Sequence, residues 1–467
     1  MYIEQIYTGC LSEAAYYIES NGEVAIIDPL RETQPYLEKA EERGAKIKYI
    51  FETHFHADFV SGHVDLAKKT GAEIVFGPKA ETNYNITVAE DGQVFHLGGL
   101  EIKVLHTPGH TMESSTFLLK DESGKDHAIF TGDTLFIGDV GRPDLAVKSD
   151  LTKEDLAGHL YDSLHNQIMP LADDLMVYPA HGAGSACGKN MSSETYSTLG
   201  EQKANNYALQ EMTKEAFIAE VTEGIAPPPQ YFPKNVMLNK MGYASIDDVL
   251  DRGVKGLSVE DFKHLADNGG LVLDARSQEA FVEEHIPNSL FIGLDGSFAT
   301  WVGALIEDLK TPILLIVESG REEEAVTRLA RVGYDNAIGY LENGLNAWKE
   351  SGQATKSYNQ IDAKNLEAAI KEKDIQVLDV RKKSEFEAEH VEGAINAPLD
   401  FIEQNLDALD TNKQYYIHCK GGYRSVIAQS ILQRAGFDKL TDISGGMDAI
   451  LQSSVPTTEY VCPSTLK

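Results

Sequence analysis

Apolar residues recur in short runs over the first 120 positions. The runs IEQIY, AAYYIE, EVAIID, IKYIFE, EIVFG, QVFHL, EIKVLH and SSTFLL are rich in Ile, Val, Tyr and Phe. Polar and turn-forming residues separate them, so each is expected to be a β-strand. Residues 32–43 and 62–70 have helical spacing instead. Strands with few helices are expected to continue to about Tyr178, followed by a polar helical stretch over 194–221. The segment TEGIAPPPQYFPKN comes next. Three consecutive prolines cannot continue a helix and favour an extended chain, so a stiff connector is expected over 222–255.

The rest of the chain repeats itself. LVLDARSQEAFVEEHIPNS matches VLDVRKKSEFEAEHVEGAIN, and ENGLNAW matches SGGMDAI. The offsets from Asp274 to Asp379, Gly333 to Gly436 and Gly344 to Gly446 are 105, 103 and 102 residues. A near-constant offset over a domain length means two tandem domains of one fold. Each alternates strand and helix, which predicts a small α/β domain with a parallel sheet. The expected order is therefore a strand-rich domain over 1–221, the connector, and two α/β domains over 256–355 and 356–467. That makes an α/β multidomain chain, in keeping with 467 residues and a prior of about 150 per domain.

Composition narrows the partners. The formal net charge of -32 argues against nucleic acid, since phosphate binding needs basic patches. No apolar run approaches the ~20 residues of a membrane span, and the first residues lack a signal-peptide pattern. Four scattered cysteines, Cys10, Cys187, Cys419 and Cys462, make no disulfide framework. A cytoplasmic protein is expected, with small-molecule substrates; a homo-oligomer is compatible with the sequence.

The second repeat contains YYIHCKGGYRSVIAQSIL. A buried strand ends at Cys419, a loop with Gly421 and Gly422 follows, and a helix starts near Arg424. This puts a thiol opposite a helix N-terminus, where amide groups and the helix dipole favour a thiolate or a bound anion. Lys420 and Arg424 add local positive charge. With Asp379-Val380-Arg381, Glu385-Phe386 and the stretch from His390 to Asn396, the repeat resembles the rhodaneses. These are sulfurtransferases whose cysteine carries sulfur as a persulfide. The resemblance implies that Cys419 is catalytic and that Lys420, Gly421, Gly422 and Arg424 bind substrate. The first repeat has no cysteine, and its loop carries Glu318, Glu322, Glu323 and Glu324. It is expected to be a pseudo-rhodanese.

The strand-rich domain holds the other chemistry. THFHADF contains His54, His56 and Asp58 within five positions, half of a metal site. Two His and one Asp serve zinc in hydrolysis or iron in oxygen chemistry. His110 in HTPGHT, Asp133 in FTGDTLF and His181 in YPAHG follow, each at the end of an expected strand. The ordered series resembles the metallo-β-lactamase fold, which implies an αββα sandwich. Two-metal hydrolases of that fold, including glyoxalase II thioesterases, have a histidine where this chain has Phe59. A single metal is therefore expected. Persulfide dioxygenases, a branch of the superfamily, hold Fe(II) with residues corresponding to His54, His110 and Asp133. His56, Asp58 and His181 would then support those ligands. The resemblance extends to Arg142 and Asp144 in GDVGRPDL, which would face substrate or else brace their loop as a pair. Cys187 would handle sulfur or be a buried structural thiol.

The whole chain resembles persulfide dioxygenases fused to rhodaneses. The implied function is oxidation of a low-molecular-weight persulfide by O₂ to sulfite. Sulfite then combines with sulfane sulfur on Cys419 to give thiosulfate, a route of sulfide detoxification. The alternatives are a zinc thioesterase of the glyoxalase II type with an accessory rhodanese, and a non-catalytic sulfur carrier.

Overall fold

The computed structural model describes residues 1–147, 150–225, 227–371 and 375–462. The chain divides into two compact units, Met1–Val249 with Thr327–Asp335, and Leu250–Val326 with Asn336–Lys467.

In the first unit both faces of the strands are apolar, and alternation sorts them. Along Glu13–Ser20, Tyr16 and Ile18 point to one side and Ala15 and Tyr17 to the other. The first pair joins a core between two sheets with Phe51, Phe117 and Phe130. The second pair meets helices Gln34–Glu42 and His63–Thr70 through Tyr36, Ala40 and Leu66. On the other sheet, Leu118, Ile129 and Val177 pack against Ala157 and Leu160, and against Phe217 and Val221. Strands that are apolar on both faces need four layers, helix–sheet–sheet–helix. Each sheet has six strands, one in sequential order from Tyr2–Thr8 to Thr87–Val88, the other from Ser197–Thr198 back to Val94–Leu97.

Two segments differ from the sequence-based expectation. Helix Lys153–Ser163 lies where few helices were expected. Thr152 and Asp155 form a capping box, and Leu156, Leu160 and Leu164 follow at four-residue spacing. The segment 222–255 is not an extended connector throughout. It carries helices Phe232–Met241 and Ile246–Gly253. Pro233 stands in the first turn, where a missing amide costs nothing.

The second unit holds two five-stranded parallel sheets of one strand order. The first runs Gly256–Leu257, Ala337–Leu341, Ile313–Ile316, Leu271–Asp274, Leu290–Phe291. The second runs Asn359–Asp362, Leu440–Ser444, Gln414–His418, Ile375–Asp379, Ile395–Asn396. The repeat extends to side chains. Arg276 forks onto Asp274 and donates to Glu284 O, and Arg381 forks onto Asp379 and donates to Glu389 O. No helix among the described residues is long and apolar enough to cross a membrane.

Candidate metal centre and sulfur-transfer loop

The metal-type residues collect beyond the ends of strands. His54, His56 and Asp58 follow Lys46–Glu52, His110 follows Leu100–His106, Asp133 follows Asp126–Gly132 and His181 follows Met176–Pro179. All six are buried. His110 Nδ1 donates to Arg142 O at 2.9 Å and His181 Nδ1 to Ser12 O at 3.2 Å. His54 Nδ1 donates to Thr53 Oγ1 at 2.9 Å, and that hydroxyl donates to Asp28 at 2.7 Å. The three rings therefore keep their protons on Nδ1 and turn Nε2 toward Asp133. Asp133 Oδ2 lies 3.4 Å from His110 Nε2 and 3.7 Å from His54 Nε2, and Oδ1 lies 3.5 Å from His181 Nε2.

These atoms fit a metal ion. The ligand atoms of His54, His110 and Asp133 lie within 4.8 Å of one another, and so do those of His56, Asp58 and His181. His54 Nε2, His181 Nε2 and both Asp133 oxygens are buried without a hydrogen-bond partner. Buried polar atoms are rarely left so, and a cation would satisfy them together. Burial, helped by neighbouring His56, His110 and His181, holds His54 well below the usual histidine range, so it presents a neutral donor. Burial opposes charge on His181 as well, but Asp58 and Asp133 raise its pKa above the ordinary value.

The surroundings fix these groups. Phe59 is fully buried, with its ring 4.3 Å from that of His56. His56 Nε2 faces Asp28 Oδ1 at 3.1 Å and Glu52 Oε2 at 3.6 Å. Burial and the nearby Asp28 push Glu52 well above the usual carboxyl range, against a hydrogen bond from Ser61. Asn239 Nδ2 donates to His56 O and Phe59 O, both at 2.9 Å, and its Oδ1 accepts from Ser61 N at 3.0 Å. One side chain thus ties down the second half of the THFHADF loop, from His56 to Phe59. Nothing local in the sequence marks it, since it lies 180 residues from Phe59. Gly141 is required by close approach, because a Cβ there would fall 2.0 Å from Asp133 O and 3.0 Å from His110 Nδ1.

Arg142 forks onto Asp144 at 2.6 and 2.8 Å and donates through Nη1 to Ala186 O at 3.2 Å. Its own N–H donates to Cys187 O at 2.9 Å. These contacts brace the loop between His110 and Cys187. Cys187 is buried, within 4.8 Å of donor atoms of Asp133 and His181. Burial first, then Asp58 and Asp133, pushes its thiol well above the usual cysteine range, so the neutral form is favoured.

In the second unit, Cys419 ends its strand, buried, and accepts from Gly422 N at 3.1 Å. Cys419, Gly421 and Arg424 line one cleft. The positive charge expected beside the thiol is moderated. Arg424 forks onto Glu385 at 2.7 and 2.9 Å, and Lys420 is exposed and outside the cleft lining.

Comparison with known proteins matches both regions. The Metallo-beta-lactamase superfamily profile covers residues 8–181, and the Rhodanese-like domain profile covers 258–351 and 362–453. The mitochondrial persulfide dioxygenase of Homo sapiens is 30% identical over 210 residues, 44% of this chain and 74% of the relative. A probable hydroxyacylglutathione hydrolase of Schizosaccharomyces pombe is 32% identical over 161 residues, 34% of this chain and 58% of the relative. Among solved structures, a metallo-beta-lactamase from Staphylococcus aureus is 32% identical with a TM-score of 0.64, covering 73% of this chain and 98% of that one.

Proposed function

Because the chain belongs to the metallo-β-lactamase superfamily and carries two rhodanese-like domains behind that domain, we propose that it is a persulfide dioxygenase joined to a thiosulfate-forming sulfurtransferase. One observation carries the reading. His54, His110 and Asp133 form a buried two-histidine, one-carboxylate set beside a phenylalanine that offers no donor for a second ion. A ferrous ion held by these three residues would supply the activation of O₂ next to a soft sulfur ligand.

The protein's own groups do the rest. Thr53, Arg142 O and Ser12 O fix the imidazole tautomers. His181, flanked by Asp58 and Asp133, holds a proton at Nδ1 and is placed to orient water. The braced segment brings the neutral Cys187 thiol against the pocket, where it contacts the sulfur of the bound persulfide. Overall R–S–S⁻, O₂ and H₂O give R–SH, SO₃²⁻ and H⁺. The outer sulfur is oxidised and O₂ reduced. At Cys419, Cys–S–S⁻ and SO₃²⁻ then give Cys–S⁻ and thiosulfate, with the S–S bond broken and the S–SO₃ bond formed. Such use of free thiols suits a reducing compartment such as the cytoplasm.

A second reading, favoured by the His56–Asp58–His181 group and by the match to a hydroxyacylglutathione hydrolase, is a zinc thioesterase. Oxygen separates the two. Sustained turnover of persulfide by the full chain should require O₂, with one O₂ taken up per persulfide oxidised to sulfite. Rapid hydrolysis of an acylglutathione in the absence of O₂, with no oxygen uptake on persulfide, would establish the thioesterase instead.

A further inference from the structure

A buried carboxyl stands behind the sulfur-transfer loop. Asp442 lies on strand Leu440–Ser444, beside the strand that leads into Cys419, and is fully buried. Its Oδ2 accepts from Gln360 Nε2 at 3.0 Å, and its Oδ1 accepts from Ser425 Oγ at 2.7 Å. Ser425 stands in the first turn of helix Tyr423–Arg434, and its Oγ also lies 2.6 Å from Gly422 O. Gly422 donates its amide to Cys419 Sγ at 3.1 Å. A line of contacts therefore runs from Asp442 through Ser425 and Gly422 to the nucleophile.

That line is one hydrogen short when Asp442 is ionised. Ser425 has a single O–H hydrogen for two acceptors. A charged carboxylate takes it, which leaves Ser425 Oγ and Gly422 O facing each other at 2.6 Å with no hydrogen between them. A proton on Asp442 changes this. The carboxyl then donates to Ser425 Oγ, and the Ser425 hydroxyl is released to Gly422 O. Gly422 is free to follow, since its φ of +117° suits glycine and few other residues. Burial pushes the Asp442 carboxyl up to about 6, against the hydrogen bonds from Ser425 and Gln360. Its neighbours are uncharged: Ser425 on the helix, Gln360 on strand Asn359–Asp362 and Ile417 on Gln414–His418. Charged groups beside them are engaged elsewhere. Arg424 forks onto Glu385, and His418 faces Asp379 at 3.7 Å.

The cysteine-less copy lacks the acid as well as the nucleophile. Asp274 pairs with Ile316 as Asp379 pairs with His418, so Val317 stands in the place of Cys419. Leu315 pairs with Tyr340 as Ile417 pairs with Asp442, so a tyrosine stands in the place of the carboxyl.

We propose that Asp442 is a positioning residue for sulfur transfer, acting through Ser425 and Gly422 on the amide that holds the Cys419 sulfur, with its protonated form holding that amide more firmly. The proposal rests on the sulfurtransferase reading of Cys419. A fixed amide keeps the sulfur in place for attack, so the hold is firm below pH 6 and loosens as pH rises through that value. Loading from thiosulfate reads it. The Cys419 thiolate attacks the outer sulfur, a new S–S bond forms, the S–SO₃ bond breaks, and sulfite leaves.

The test uses the full chain without O₂, thiosulfate as donor, and mass spectrometry of the Cys419 persulfide as readout of the loading rate from pH 5 to 8. Asp442→Asn keeps an acceptor for Gln360 and offers Ser425 a permanent N–H, so it stands for the protonated carboxyl at every pH. The ratio of its rate to that of wild type should climb about fivefold across this range, with a midpoint near 6. In a Ser425→Ala background the Asp442→Asn change should make no difference, because the relaying hydroxyl is gone. A ratio that stays constant from pH 5 to 8 overturns the proposal. Alkylation of Cys419 by iodoacetamide, which needs no sulfur donor, should show the same climb. If it does while wild-type Cys419 takes no sulfur from thiosulfate at any pH, Asp442 keeps its positioning role and the sulfurtransferase reading fails instead.

Discussion

Asp133→Ala is expected to abolish both metal retention and persulfide-dependent oxygen uptake while the sulfur-transfer activity at Cys419 persists. Asp133 is the carboxylate that His54, His110 and His181 all face, at 3.4 to 3.7 Å. Removing it leaves His54 and His110 without the carboxylate that completes their set, and a two-histidine, one-carboxylate site needs all three groups. Loss of a mere supporting partner typically costs 10–100-fold in metal affinity or activity, so loss of this ligand should cost more than ~100-fold. The fold should survive. Both Asp133 oxygens lack a hydrogen-bond partner, so no hydrogen bond is broken, and the alanine fills no new space. Metal analysis, oxygen uptake and a thermal scan check the three parts. Full metal content with normal uptake would remove Asp133 from the ligand set.

The candidate metal-binding residues stand out in the sequence for a physical reason. Metal ligands must be specific residue types, and in this fold they follow strands, so short motifs mark them. The groups that hold them in place are ordinary residues brought in by folding. Asn239 comes from the proline-rich stretch, and Glu385 reaches Arg424 across 39 positions. No local pattern announces either. The four-layer architecture was legible through the resemblance that the motif series carries, and the structure shows its physical basis in strands such as Glu13–Ser20, buried on both faces. Helix Lys153–Ser163 escapes the periodicity although its capping box and leucine spacing stand in the sequence; Gly158 and His159 interrupt its apolar stripe. The prolines of 227–233 mislead in the other direction, because a proline in a first helical turn permits the helix that follows.

Cys419→Ser should eliminate sulfur transfer altogether while leaving oxygen uptake at its wild-type rate. The product should shift from thiosulfate to sulfite. The hydroxyl cannot form the persulfide that the loading and transfer steps require. The first copy cannot substitute, because Val317 stands where its nucleophile would be. Cys187 is a poor replacement as a nucleophile, since burial and the carboxylates of Asp58 and Asp133 disfavour its thiolate. Serine is close to cysteine in volume and still accepts from Gly422 N, so the loop geometry should hold. Product analysis of sulfite and thiosulfate during aerobic turnover reads the shift directly. Unchanged thiosulfate output would place the joining of sulfite and sulfane sulfur elsewhere, and the second rhodanese-like domain would lose its assigned role.

The central claim is one iron, used for oxygen chemistry. The measurement that tests it most directly is metal reconstitution of the metal-free full chain, with oxygen uptake on glutathione persulfide followed at each addition. Phe59, its ring 4.3 Å from that of His56, offers no donor to a second ion, and His54, His110 and Asp133 group as the candidate set for the first. Oxygen uptake should rise linearly with ferrous iron, stop at one iron per chain, and stay absent with zinc. Two tightly bound zinc ions per chain, with acylglutathione hydrolysis restored and no oxygen uptake from iron, would contradict the account.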